Sequence, residues 1–374
     1  MNRFILNYLG VFFILLSILS FFNIIYSYYF NLYLNIDTYF YTFLISGIIG
    51  TISFIKNKIE IKTTIYSKIF TVIIGYFLIP SIISIPYYFS IYNISFLNSF
   101  FESVSGFTST GFTTFDNIKH IDESLILWRS TSQWIGGIYF LFSIILLIDI
   151  FDDNLKKSLT NFITFNSTEI FKQSLKVLLL YIFLILFIFI VLKLINIRTF
   201  DSFNLSMTII SSGGFLPANN IDLIVNSEIK KIIFSLLMLF SYFSLFLTYN
   251  FFYFRKKNLN FFAEDIYLFI YLAFLITVFF VFLNFDYNFS LILFSIASSI
   301  SNIGISLNNT PNNLFFLFLI LVIIGGSFFS TSSGIRFLKL YSLIKFSINE
   351  LLSHARPNNV YINRFSLFNT NMHK

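Results

Sequence analysis

The chain has 374 residues, of which 57% are hydrophobic and only 11% charged, with a mean hydropathy of +0.82. Soluble globular domains carry roughly 25% charge, so the two soluble domains that this length allows are excluded. The net charge of +7 reflects lysines gathered between apolar runs, which points to loops at a bilayer surface and not to nucleic acid.

The start reads as a retained helix near Phe4–Tyr28. It has one basic residue, Arg3, an apolar stretch far longer than a signal h-region, and no small-residue cleavage site. A second helix follows near Thr38–Ile55, and residues 1–60 form a two-helix preamble. Three units come next, at 61–155, 156–258 and 259–374. The first pairs helices near Ile69–Tyr88 and Leu125–Ile150, the second Leu175–Leu194 and Lys230–Phe254, and the third Asp265–Phe285 and Asn313–Leu352. Each pair is long enough to cross a hydrocarbon core of about 30 Å. Between the members of each pair lies an apolar stretch of about ten residues that runs into a glycine. The expected fold class is therefore an all-α polytopic membrane protein. Basic loops at Lys56–Lys68, Lys156–Lys176 and Arg255–Lys257, with the tail from Arg336, orient the N-terminus to the inside. The abundance of Phe, 56 residues, reads as A+T-rich coding bias.

The glycine segments repeat. FTSTGFT (Phe107–Thr113), SSGGF (Ser211–Phe215) and SNIGI (Ser301–Ile305) align on Gly111, Gly214 and Gly304, which stand 103 and 90 residues apart. Thr108, Ser211 and Ser301 lie three positions before the glycine. Ser109, Ser212 and Asn302 lie two before it, and Thr110, Gly213 and Ile303 one before. Ser105, Thr208 and Ser298 lie six before. A half-spanning helix that ends in small residues and glycine can turn its C-terminal, partly negative end and its backbone carbonyls toward a cation. Close helix packing is the plainer reading of any one segment; three in alignment favour an ion filter. Irregular backbone at that depth implies a shared wet cavity.

A second constellation is GGSFFSTSSG, Gly325–Gly334, in the middle of the last long helix. Gly325, Gly326, Ser327, Ser330, Thr331, Ser332, Ser333 and Gly334 should unwind it, either as a gate or as a kink with hydroxyl back-bonding. Arg336 is placed to snorkel to the inner interface. Glu102, in an otherwise uncharged half-helix, is either an intramembrane functional carboxylate with Arg129 as partner, or an outer-interface residue that reaches water. Cysteine is absent, and His120, His354 and His373 are scattered. Neither a metal-ligand spacing nor a nucleophile elbow or phosphate-binding loop occurs, so an enzyme is not expected.

FFESVSGFTSTGFT (Phe100–Thr113), LWRSTSQWIGG (Leu127–Gly137), SSGGF, IGGSFFSTSSGIR (Ile324–Arg336) and ARPNNVYINRF (Ala355–Phe365) together resemble the Trk/Ktr/HKT superfamily of potassium transporters, most closely its bacterial Trk-type membrane subunit. The resemblance implies a two-helix preamble and four pore units around one ion path. It also implies K⁺ as the transported ion with no tightly bound cofactor, a homodimer in the inner membrane of a bacterium, a cytoplasmic nucleotide-binding regulatory subunit, and a gate in the interrupted helix. SNIGI lacks the Thr-rich third loop usual there, and Leu216–Pro217 replaces small polar residues after SSGGF. By extension of the repeat, a fourth glycine falls near position 400, beyond Lys374. The expectation is a K⁺ uptake subunit that lacks its fourth pore unit, the product of a split, truncated or degraded gene; a separately encoded fourth pore unit is the partner that the first of these implies. The alternatives are a non-conducting relic or structural subunit, or a Na⁺-conducting transporter.

Overall fold

A computed structural model describes residues 3–55, 64–147, 167–245, 263–282, 288–308, 310 and 314–355. The described residues are almost entirely helical. In order they form α1 (Arg3–Tyr29), α2 (Ile36–Ile55), α3 (Ile65–Tyr88), α4 (Phe96–Phe107), α5 (Glu123–Leu146), α6 (Ser167–Leu194), α7 (Thr199–Ile210), α8 (Glu228–Tyr242), α9 (Ala263–Phe282), α10 (Phe289–Ile300) and α11 (Phe315–Ile323). A two-residue parallel strand pair follows, β1 (Ile324–Gly325) with β2 (Ile335–Arg336), and then α12 (Phe337–Ala355). Among the described residues, four segments are long and apolar enough to cross a membrane: Asn7–Tyr29, Ile65–Tyr88, Ser174–Leu194 and Glu264–Val281. The basic stretches at 56–63, 156–166 and 255–257 and the tail beyond 355 lie outside the described residues.

Packing gathers Met1–Ile150 with Ser174–Ile224 in one compact unit, and Phe151–Gln173 with Val225–Lys374 in another. In the first, α5 is the axis. Every residue from Ser124 to Leu146 except Phe140 is buried, although Ser130, Thr131, Ser132 and Gln133 make it less apolar than a lipid-facing span. Such a polar helix survives at this depth because protein surrounds it. Polar side chains on the preamble fasten to its start: Asn23 donates to Ser124 O (3.1 Å) and Asn35 to Asp122 Oδ2 (2.7 Å). On α3, Trp128 Nε1 donates to Ile83 O (3.0 Å), and Tyr139 OH donates to Val72 O (2.9 Å). The Tyr139 ring sits edge-on to Phe12 and Tyr76 at 4.9 and 5.0 Å.

In the second unit, α10 lies against α8 and α11, and Phe234 stacks on Phe294 at 5.6 Å. Helix α8 is expected to run to Phe254 but ends at Tyr242; residues 246–254 are outside the described set. Its end has a physical cause. The Ser241 and Tyr242 carbonyls accept from Ser332 N (3.1 Å) and Ser327 N (3.0 Å), and Leu245 N donates to Phe329 O (3.0 Å). The backbone groups that would continue the helix are held by the Gly325–Gly334 segment instead.

Candidate functional site

Helices α4, α7 and α10 each have twelve residues, or about 18 Å, roughly half the thickness of a hydrocarbon core. Each ends in the same way. The residue two before the aligned glycine takes a left-handed conformation: Ser109 at φ +55°, Ser212 at +54° and Asn302 at +58°. Its amide and the next one donate back into the helix. These bonds are Ser109 N to Gly106 O and Thr110 N to Ser105 O, Ser212 N to Ile209 O and Gly213 N to Thr208 O, and Asn302 N to Ser299 O and Ile303 N to Ser298 O, all between 2.8 and 3.2 Å. This is the Schellman arrangement, three times over. The glycines are left-handed too, with Gly111 at +82°, Gly214 at +119° and Gly304 at +74°. Two left-handed residues so close together turn the chain sharply at the half-helix C-terminus, where the helix dipole favours a cation.

The hydroxyls have separate roles. Thr108, Ser211 and Ser301 donate to the carbonyls four residues back, those of Val104 (2.7 Å), Met207 (2.8 Å) and Ala297 (2.6 Å), and so close the helix. Ser105, Thr208 and Ser298 reach forward instead, to the carbonyl just after the glycine: Phe112 O (2.5 Å), Phe215 O (3.0 Å) and Ile305 O (2.6 Å). That cross-tie fixes the returning strand of each loop. Thr110 differs from its counterparts, since its exposed hydroxyl meets that of Thr108 at 2.7 Å. The first two loops touch. A Cβ at Gly111 would lie 3.1 Å from Gly213 O and 3.2 Å from Gly214 Cα. Farther along, Asn219 Oδ1 accepts from Ile118 N (2.8 Å), and Asn219 Nδ2 donates to Asn117 (2.8 Å). Gly304 is exposed, with nothing within 4 Å of where its Cβ would stand.

Glu102 is 0% exposed and Arg129 1%, so of its two readings the water-reaching interface residue does not hold. Arg129 Nε donates to Glu102 Oε1 at 2.9 Å. The carboxylate also accepts from Thr113 Oγ1 (3.0 Å), Thr114 N (2.8 Å) and Thr114 Oγ1 (3.2 Å), and Arg129 Nη2 donates to Thr113 Oγ1 (3.0 Å). The guanidinium lies 4.2 Å from the Phe215 ring centroid, a cation–π contact. Sequence reasoning found the pair but not the hydrogen-bonded threonines or the ring. It also missed Gln133, buried in α5, whose amide occupies the place a Cβ on Gly213 would take.

The interrupted helix is interrupted. α11 stops at Ile323, the two-residue strand β1 follows, Gly326–Ser330 are buried without regular structure, and α12 starts at Phe337. Gly325 and Gly334 face each other at the neck of the loop, with Gly334 at φ +82°. Within it, Gly326 N donates to Ser332 Oγ (3.0 Å), and Ser330 and Ser332 share a hydroxyl bond at 3.0 Å. Thr331 Oγ1 reaches Ser241 O at 3.4 Å, while Ser333 is exposed. Arg336 does not turn to the interface. Its Nη1 donates to Ser327 O (3.2 Å), Ser330 Oγ (3.0 Å) and Ser332 O (2.8 Å). From the other side Phe328 N donates to Glu264 Oε1 (3.0 Å), a residue no sequence motif singled out. Among the described residues no cluster of His, Asp or Glu is arranged to hold a metal.

No protein-family profile matches the chain. Among known proteins it is 25% identical over 299 residues to an uncharacterized cation transporter of Methanocaldococcus jannaschii, covering 75% of this chain and 59% of the relative. It is 31% identical over 99 residues to the Trk system potassium uptake protein TrkH of Salmonella typhimurium, covering 26% of this chain and 20% of that protein. The chain thus spans less than two thirds of the length of these relatives. Its fold matches the crystal structure of the potassium transporter TrkH from Vibrio parahaemolyticus with a TM-score of 0.81. That match has 22% identity and covers 96% of this chain and 78% of the other.

Proposed function

For a chain that belongs to the Trk/Ktr/HKT superfamily, we propose potassium uptake across the cytoplasmic membrane through a filter lined by backbone carbonyls. The observation that carries this reading is the threefold recurrence of one loop: a half-helix closed by a Schellman turn, a left-handed glycine, and a hydroxyl tied to the carbonyl after it. A cation entering a narrow path loses its water, and rigid carbonyls replace that shell. Rigidity is what the hydroxyl ties supply, because a carbonyl free to swing would accept a smaller ion as readily. Thr108–Gly111, Ser211–Gly214 and Ser301–Gly304 are the proposed ion-binding segments, with the half-helix C-termini adding negative potential. Gly325–Gly334 is the proposed gate. Its irregular backbone, mostly buried, is pinned by three hydrogen bonds from Arg336, one to Glu264 and three at the end of α8, which can exchange without unfolding a helix. Superfamily membership supports a homodimer in the inner membrane with a cytoplasmic nucleotide-binding regulatory subunit.

The test is growth on low K⁺ of a bacterium that lacks its own K⁺ uptake, with the chain expressed alone and with a superfamily-type fourth pore unit supplied in trans. Growth in either arm, lost in the Gly111→Ser variant, is expected. Membrane-inserted protein that rescues in neither arm, with no K⁺-dependent stabilisation of the purified chain, would refute the reading.

A further inference from the structure

The three loops share their turn geometry but not their support. Glu102 stands nine residues before Gly111, where the second and third repeats have Leu205 and Ser295. Arg129 stands eighteen after it, where they have Ile232 and Val322. The buried ion pair therefore occurs in one repeat only. Its contacts nonetheless reach two loops. Through Thr113 and Thr114 it holds the strand that returns from Gly111. Through the guanidinium face it holds Phe215, the residue after Gly214, whose carbonyl Thr208 ties. Gly106 also comes close to the Phe215 ring: a Cβ there would stand 3.1 Å from Phe215 Cε2. Phe115 covers the guanidinium as well, at 5.5 Å. The third repeat has Ile305 at the position of Phe215, which offers no ring face to a cation.

We propose that Glu102 and Arg129 are specificity-determining positioning residues: a single dry ion pair that sets the geometry of the first and second loops together, with Phe215 as the link to the second. The inference rests on the filter reading above and deepens it. Neither charge need touch the ion. The carboxylate accepts from four donors in a fixed pattern, and the planar guanidinium fork bonds and stacks at once, a combination lysine cannot reproduce. With either partner removed, both loops lose a rigid wall.

Two roles for the pair predict different outcomes. If it acted only through its field, Glu102→Gln would leave a buried positive charge and weaken every monovalent cation, Arg129→Gln would strengthen every one, and the K⁺ to Na⁺ ratio would stay constant. A positioning role predicts that the ratio falls in both. The readout is the thermal protection of the 374-residue chain in detergent by K⁺ and by Na⁺, titrated separately, because a ligand that binds only the folded state stabilises it by RT ln(1 + [L]/Kd). We expect the K⁺ to Na⁺ affinity ratio to drop at least tenfold in E102Q, in R129Q and in F215L, with R129K still impaired. F215L keeps both charges paired, so it tests the link even where a charge variant fails to fold. A folded F215L with an unchanged ratio, or charge variants that move K⁺ and Na⁺ in parallel, would overturn the proposal. If the unsubstituted chain shows no preference for K⁺ over Na⁺, the filter reading fails and this inference falls with it.

Discussion

Gly111→Ala and Gly304→Ala place the same methyl group in two environments. Gly111 and Gly304 have φ of +82° and +74°. An L-residue in the left-handed region costs about 1–2 kcal/mol, so both variants carry that strain. Only Gly111 adds a collision. Its new Cβ stands 3.1 Å from Gly213 O and 3.2 Å from Gly214 Cα, whereas the Cβ at Gly304 meets nothing within 4 Å. At those distances the second loop must retreat by a few tenths of an ångström, or the first must turn its carbonyl. Strain of about 1–2 kcal/mol that falls on the ion-bound geometry weakens K⁺ binding roughly five- to thirty-fold. Gly111→Ala should exceed that range because two loops move, and Gly304→Ala should stay within it. The assay is the K⁺ affinity read from the same thermal protection, with Na⁺ titrated in parallel. An equal shift for the two variants, or none for either, would refute the idea that Gly111 sits at a contact between two ion-binding loops.

The cross-tie hydroxyls give a second series: Ser105→Ala, Thr208→Val and Ser298→Ala each remove one hydrogen bond worth about 1 kcal/mol and should lower K⁺ affinity, read from the same titrations, while Ser342→Ala on α12 leaves it unchanged. Arg336→Gln weakens the three bonds to Ser327, Ser330 and Ser332 and should speed modification of a cysteine placed at Ser333, followed by mass spectrometry. The lysine-rich loops predict that a cysteine at Asp116 is labelled from outside intact cells by a membrane-impermeant reagent and one at Asn154 is not; the reverse pattern inverts the topology.

Apolar run length and the glycine repeat made the helices and the three loops legible, because both are properties of consecutive residues. Gly111, Gly214 and Gly304 are indeed left-handed, and the break in the last long helix falls where glycine and serine crowd together. What stayed hidden depends on partners far along the chain. The left-handed turns at Ser109, Ser212 and Asn302 are local by contrast, closed by bonds to carbonyls three residues back, and their trace in the sequence is the spacing of small residues before the glycine. The end of α8 at Tyr242 is set by carbonyls that serve a segment about 90 residues later. Phe215 looks like an ordinary apolar residue until α5 brings Arg129 beneath its ring. The place of Arg336 after an apolar run predicts a turn to the interface, yet two carbonyls and a hydroxyl of the buried loop hold it instead.

Anomalous diffraction from crystals grown in Rb⁺ locates a dehydrated monovalent cation without reference to transport. The prediction is a peak within coordination distance of backbone carbonyls in both Thr108–Gly111 and Ser211–Gly214, displaced by excess K⁺ and weakened in the Gly111→Ala protein. Clear density for these two loops with no Rb⁺ peak against their carbonyls, or a peak held by side chains elsewhere, would contradict it.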